Sequence, residues 1–309
     1  MIPSAKPLAV TGATGFIGTA LCRRLREEAF AVRALARSSA RGEKLAAGGV
    51  QLVIGDLNDE TALSRLVRDS AWVIHAAGAV RGNSRQDFDR VNVDGTAALL
   101  RAMDACPTPP KLLLLSSLAA REPQLSWYAA SKRAGEVLVE DSVGLDWLIL
   151  RPPAVYGPGD REMRPIFQTM ARGFAAVPGS VQARISLIHV SDLVQAIVAC
   201  LAGDCPPRQT LTLCDGKPGG YSWAEMAATA GEVFDRRVRL WPVPGRLLDT
   251  LATVNSALAH LSRRPPMLTP PKVRELRHPD WVADNAAITA ATGWTPAIGL
   301  REGLSRLEL

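Results

Sequence analysis

The stretch Val10-Thr11-Gly12-Ala13-Thr14-Gly15-Phe16-Ile17-Gly18 constrains this chain more than any other. It lies between Pro7 to Val10, a short apolar run that reads as a strand, and Thr19 to Glu28, which reads as a helix. Three glycines at a strand-to-helix junction mark a place where backbone passes close to a ligand. Gly12 serves the tight turn, Gly15 the approach of a pyrophosphate to the main chain, and Gly18 the packing of helix on sheet. An anion would rest on the free amides and positive dipole of the helix N-terminus.

Short apolar runs then alternate with longer helical stretches. Ala31 to Ala36, Val50 to Ile54, Trp72 to His75 and Lys111 to Leu115 read as buried strands. Asn58 is expected to cap a helix running to about Arg68, with Asp59 and Glu60 in its first turn, and Val91-Asn92-Val93-Asp94-Gly95-Thr96 falls inside another helix. This rhythm predicts an α/β fold, a Rossmann-like doubly wound parallel sheet covered on both faces. Ligands of such sheets bind beyond the carboxyl ends of the strands, where Arg37-Ser38, Asp56-Leu57, Ala76-Ala77-Gly78 and Ser116-Ser117 all fall. His75, closing a buried apolar strand, reads as a packed and hydrogen-bonded histidine rather than a catalyst.

The end of the second strand bears on cofactor choice. An acid there would accept from a ribose 2′-hydroxyl, whereas an arginine accommodates a 2′-phosphate. Ala36 stands where the acid is expected and Arg37-Ser38 follow, which predicts NADP(H) as the preferred cofactor, with NAD(H) the alternative.

Composition narrows the class. A formal net charge of +6 suits an anionic ligand, but the 36 lysines and arginines are scattered and form no nucleic-acid motif. Cys22, Cys106, Cys200, Cys205 and Cys214 show no metal-ligand or paired spacing, so a reducing compartment and no bound metal are expected. Met1 to Lys6 has no apolar leader core and no apolar run is long enough for a membrane span, so the expected location is cytoplasmic.

The segment Ser126-Trp127-Tyr128-Ala129-Ala130-Ser131-Lys132 opens a helix that runs to about Asp141. Tyr128 and Lys132, four apart, share a helix face. A tyrosine titrating near pH 10 is a poor acid or base at neutrality, and Lys132 is expected to supply part of the lowering, with the charge of a bound nicotinamide another part. Ser117 would then donate to the substrate oxygen that Tyr128 protonates.

The ordered motifs T-G-A-T-G-F-I-G, G-D-L, H-A-A-G, V-N-V-D-G-T, L-L-S-S, Y-A-A-S-K and L-R-P-P-A-V-Y-G-P-G-D resemble the extended short-chain dehydrogenase/reductase family, also called NAD-dependent epimerase/dehydratases. The resemblance covers nearly the whole chain. It implies that Gly12, Gly15, Ile17 and Gly18, with Thr14 and Phe16 between them, line the pyrophosphate, and that Asp56 and Leu57 line the adenine. It likewise implies Ala76, Ala77 and Gly78 along the cofactor's middle, Pro152 to Val155 beside the nicotinamide, and Tyr128 and Lys132 as the catalytic pair, Lys132 also holding the ribose. Asn92 matches a structural asparagine, and Ser117 is the choice for the catalytic serine, with Ser116 the alternative.

Two departures steer the expected chemistry. Pro153-Ala154-Val155 stands where nucleotide-sugar epimerases usually carry a phosphate-binding asparagine, and Leu118-Ala119-Ala120 where sugar-nucleotide dehydratases usually carry Asp-Glu. Both push toward the family's ketone and aldehyde reductases, similar to dihydroflavonol reductases and 3β-hydroxysteroid dehydrogenases. The expected activity is hydride exchange between NADP(H) and a carbonyl or secondary alcohol of an apolar small molecule. An epimerase with retained NAD, or a non-catalytic cofactor-binding subunit, are the alternatives; pairing into a homodimer is usual for such relatives.

The expected division is a cofactor domain over 1–151, with elements returning from about 183–202, and a small C-terminal α/β substrate-binding lobe over 152–309. In the second half, Glu162 to Ala171 reads as a helix, Ile185 to Ile188 as a strand, Val190 to Leu201 as a helix that returns to the main core and that the resemblance implies is capped by Ser191-Asp192, and Ser222 with Glu225 as a capping box. Leu247 to Leu261 is markedly apolar, suited to a core helix, a roof over an apolar substrate or a subunit contact. Arg184 and His189 flank a strand where such relatives often meet substrate, and His278 reads as structural.

Overall fold

The computed structural model describes residues 6–203, 205–262 and 269–309, and only the backbone of 256–262; the leader reading of Met1 to Ala5 and the side chain of His260 thus lie outside the described residues. The first half runs β1 (Leu8–Thr11), α1 (Phe16–Glu27), β2 (Val32–Ala36), α2 (Ser39–Ala47), β3 (Gln51–Ile54), α3 (Glu60–Val67), β4 (Trp72–His75), α4 (Arg85–Asp89), α5 (Gly95–Asp104), β5 (Lys111–Leu115), α6 (Trp127–Glu140) and β6 (Trp147–Arg151). The second runs β7 (Ala154–Tyr156), α7 (Arg164–Ala171), β8 (Phe174–Pro178), β9 (Arg184–Ile185), β10 (Leu187–His189), α8 (Val190–Ala202), β11 (Gln209–Thr212), β12 (Tyr221–Ser222), α9 (Trp223–Val233), β13 (Arg239–Val243), α10 (Gly245–Ser262), α11 (Pro270–Leu276), β14 (Asp280–Trp281), α12 (Ala286–Thr292) and α13 (Leu300–Ser305).

Seven strands form one parallel sheet in the order β11-β6-β5-β4-β1-β2-β3, the doubly wound Rossmann-like arrangement that the alternation of runs predicts. Its strands are apolar throughout because both faces are covered, and successive residues serve opposite sides. Leu8, Val10 and Leu113 join Leu21 and Leu25 of α1 and Leu193 and Ile197 of α8, while Ala9, Leu112 and Leu114 join Leu63 and Leu66 of α3 and Leu99 of α5. The order reverses between β1 and β4, which opens the crevice at their carboxyl ends. A separate core around Tyr156, Phe167, Trp223 and Leu300 holds the lobe, and among the described residues no helix is long and apolar enough to cross a membrane.

Several caps differ from expectation. Asp59, not Asn58, caps α3 by accepting the Ala62 amide at 2.9 Å. His189, not Ser191-Asp192, caps α8 through Nδ1, which accepts the Ser191 amide at 3.3 Å. Asp192 faces the tail instead, where its Oδ2 accepts the Ala297 and Ile298 amides at 3.1 and 2.8 Å. The capping box of Ser222 and Glu225 is present as expected. In α10, Leu248 and Ala252 bury against Val273 of α11, while Leu247, Leu251 and Val254 point outward.

Candidate active site

The glycine turn is built as its spacing demands. Gly12 has φ +69°, and a β-carbon there would collide with the Ala76–Ala77 backbone at the end of β4. A β-carbon at Gly18 would collide with the Gly12 carbonyl, so this glycine lets α1 close onto the turn rather than onto the sheet. Gly15 is the N-cap of α1 and offers no side-chain bond to the first turn of that 12-residue helix. This cradle, which added methyl groups would fill, fits the pyrophosphate of a dinucleotide. Thr14 is exposed, Phe16 and Ile17 are half-buried, and the Phe16 ring faces Gly159 on the far side of the crevice.

At the other strand ends, Arg37 is exposed, and Ser38 caps α2 by accepting the Arg41 amide at 3.4 Å. Asp56 Oδ1 accepts the Asn58 amide at 2.8 Å, and the Leu57 side chain packs over Gly95. Ala76 and Ala77 are half-buried and Gly78 is open. Pro152 is buried, its carbonyl accepting the Leu118 amide at 2.8 Å, and Val155 on β7 leans on the main core.

Behind the turn runs a chain of hydrogen bonds. The Ala77 amide donates to Thr11 Oγ1 at 3.2 Å, which lies 2.6 Å from His75 Nδ1; His75 Nε2 lies 3.1 Å from Thr96 Oγ1, which donates to the Asn92 carbonyl at 2.8 Å. Since Thr96 spends its proton on that carbonyl, Nε2 must carry the imidazole proton and Nδ1 must accept from Thr11. Burial, aided by the Lys132 charge, lowers His75 to about 3 and keeps it neutral. His75 is the packed histidine its position suggests. Asn92 lies in a π-helical turn, Arg90–Asp94, between α4 and α5, and it clasps both polar groups of Ala79 and donates to Ser131 Oγ at 2.9 Å. Such turns interrupt a helix at the cost of regular bonding and are frequent at functional sites.

Tyr128 sits in the first turn of α6, whose N-cap Ser126 accepts the Ala129 amide at 3.0 Å. Ser117 stands by its phenol, and its ring lies 6.3 Å from that of Phe88. Ser116 is turned away, its hydroxyl donating to the buried Glu136 at 2.5 Å. Lys132 is buried, with Nζ donating to the Leu115 carbonyl at 2.7 Å and standing 3.6 Å from where a β-carbon of Gly78 would lie. Its ammonium therefore reaches the carboxyl ends of β4 and β5.

The electrostatics differ from the expectation of a phenol made acidic by Lys132. Burial pushes Tyr128 up to about 12 against the pull of Ser117, and Glu275 and Glu162 raise it further. Burial lowers Lys132 to about 8, partly opposed by Glu136. The phenol thus holds its proton firmly, and of the two groups the ammonium is the first to give up its proton as pH rises.

Several residues at the site carry no local sequence signal. Glu275 Oε2 accepts the Ser126 hydroxyl at 2.5 Å across 149 residues of chain, and Lys272 Nζ stands 5.7 Å from the Tyr128 ring centre. Arg81, beyond β4, pairs with Glu162 of the lobe at 2.8 Å. Arg184 and His189 are drawn elsewhere: Arg184 Nε and Nη2 donate to the Gly219 and Gly220 carbonyls, and His189 packs edge-on to Tyr156 at 5.4 Å. His278 stacks on Trp281 at 4.7 Å, in keeping with a structural role.

Residues 8–208 match the model of the NAD dependent epimerase/dehydratase family. Ceramide reductase of Caulobacter vibrioides is 37% identical over 298 residues, covering 96% of this chain and 92% of that protein. The 2-alkyl-3-oxoalkanoate reductase of Stenotrophomonas maltophilia is 26% identical, with 97% of each covered. In fold, the chain superposes on UDP-glucuronic acid 4-epimerase from Bacillus cereus, solved with NAD, at a TM-score of 0.74 and 20% identity over 97% of both chains.

Proposed function

Because this chain belongs to the NAD-dependent epimerase/dehydratase family and is an NAD(P)-dependent oxidoreductase, we propose that it reduces a ketone on an aliphatic, lipid-like substrate at the expense of NADPH. The observation that carries this reading is the placing of Tyr128 with Ser117 at its phenol and the buried Lys132 one turn along the same helix, at the carboxyl ends of β4 and β5. A bound nicotinamide supplies the hydride. Tyr128 Oη gives its proton to the carbonyl oxygen as that oxygen becomes an alkoxide, Ser117 orients the same oxygen, and Lys132 holds positive charge nearby. A phenol at about 12 still protonates an alkoxide, a far stronger base. The substrate class rests on the likeness to ceramide and 2-alkyl-3-oxoalkanoate reductases. The lobe over 152–309 would wall that substrate against the cofactor domain over 1–151.

Consumption of NADPH with a panel of a long-chain 3-oxo amide, a 2-alkyl-3-oxo acid, a small aldehyde and UDP-glucose tests the proposal. Net turnover of the first two is expected. Retained NAD with interconversion of the nucleotide sugar, and no net consumption, would establish the epimerase reading instead.

The cofactor preference is proposed from Arg37 and Ser38 at the end of β2. Loss of a guanidinium contact to a phosphate weakens binding by about tenfold or more. Arg37→Gln should therefore raise KM for NADPH by about that factor and leave KM for NADH unchanged. Wild-type protein that uses NADH as well as NADPH would refute the preference.

A further inference from the structure

Helix α11 belongs to the lobe, yet it reaches the catalytic helix. Lys272 Nζ stands 5.7 Å from the centre of the Tyr128 ring and donates to Glu275 Oε1 at 2.5 Å. Glu275 is only 8% exposed, and its second oxygen accepts the hydroxyl of Ser126, the N-cap of α6, at 2.5 Å. The carboxylate is thereby fixed to the helix end two residues before Tyr128, with the ammonium on the ring side. We propose that Lys272 and Glu275 are a charge-balanced pair through which the lobe sets the acidity of the Tyr128 hydroxyl. This rests on the reading of Tyr128 as the proton donor.

Among the described residues, the groups around Tyr128 come from separate elements. Lys132 stands one turn along α6, Ser117 comes from the segment after β5, Phe88 from α4, and Glu162 from the segment before α7, where Arg81 pairs with it. From α11 come Lys272 and Glu275. In a poorly solvated crevice an unpaired carboxylate favours the neutral phenol, and an unpaired ammonium favours phenolate. Paired, the ammonium offsets part of the carboxylate, whose remainder still raises the phenol. Both residues therefore act through Tyr128 and are positioning residues.

The two single replacements separate this role from a merely structural clasp. Each breaks the same ion pair, so a clasp predicts changes in one direction. A charge role predicts opposite directions. Glu275→Gln leaves the ammonium uncompensated and should move the ionisation of Tyr128 down by about 1 pH unit; Lys272→Met leaves the carboxylate and should move it up by a similar amount. The double variant should return near wild type.

The readout is the ζ-carbon resonance of ¹³C-labelled tyrosine in the whole protein, followed into alkali. There are three tyrosines, and Tyr128→Phe identifies the one concerned. Shifts of the same sign, or none, would overturn the proposal. Lys272→Gln, which can still donate to Glu275, carries the same expected sign should the methionine variant not fold. Full turnover by Tyr128→Phe on the ketone panel would instead sink the reading of Tyr128 and leave the resonance shifts standing.

Discussion

Replacing Tyr128 with Phe should lower ketone reduction about 10³-fold while leaving cofactor affinity within about twofold. The ring itself is retained, so its contact with Phe88 at 6.3 Å and the N-terminal turn of α6 stay in place. What disappears is the hydroxyl, and with it the proton that the nascent alkoxide would take. Isothermal titration with NADPH and single-turnover kinetics separate the two effects. A variant with near-normal turnover would show that the proton comes from elsewhere.

The pH profile of the wild type gives a second check. On the proposed mechanism reduction needs the phenol protonated, and the phenol stays so until pH approaches about 12. It also needs the ammonium of Lys132, whose pKa burial has lowered to about 8. Both requirements fail as pH rises, and the lysine fails first. Activity should therefore be flat on the acid side of neutrality and fall past about pH 8. Lysine, not tyrosine, sets the alkaline limb.

The cofactor half was legible because its signals are local. Gly12, Gly15 and Gly18 each answer to a backbone approach within a few residues or across one strand, and the apolar runs of β1 to β5 are short and bounded. Tyr128 and Lys132 share one helical turn, so spacing alone places them together. The resemblance already favours Ser117 over Ser116, and the alternation at the end of β5 agrees, turning Ser116 to Glu136 and Ser117 to Tyr128. The protein's own share in the acidity of the phenol is illegible for a physical reason. Sequence shows a cation four residues away, but burial and the carboxylates of Glu162 and Glu275 arrive from the lobe and outweigh it. The caps at Asp59 and His189 missed by one or two residues because adjacent polar side chains compete for the same amides.

Glu136 is the residue whose loss should cost the fold most. It is fully buried on α6, one turn after Lys132, and takes Arg151 of β6 in a two-point grip at 2.8 and 2.6 Å. It also accepts Ser116 at 2.5 Å and Arg133 at 3.1 Å. The carboxyl ends of β5 and β6 are thus bolted to α6 through one carboxylate. Glu136→Ala would strand a mostly buried guanidinium, which costs about 3–5 kcal/mol. The melting midpoint should fall by about 5–10 °C. Arg133 can fall back on Glu140, at 2.7 Å, whereas among the described residues Arg151 is ion-paired with Glu136 alone. Glu136→Gln keeps the shape and should cost less, yet it removes the charge that favours the Lys132 ammonium. Lys132 would then lose its proton at lower pH, and the alkaline limb of reduction should move down with it. A Glu136→Ala protein that melts with the wild type would dissolve the structural claim, and a Glu136→Gln profile that overlays the wild type would dissolve the link from this carboxylate to the site.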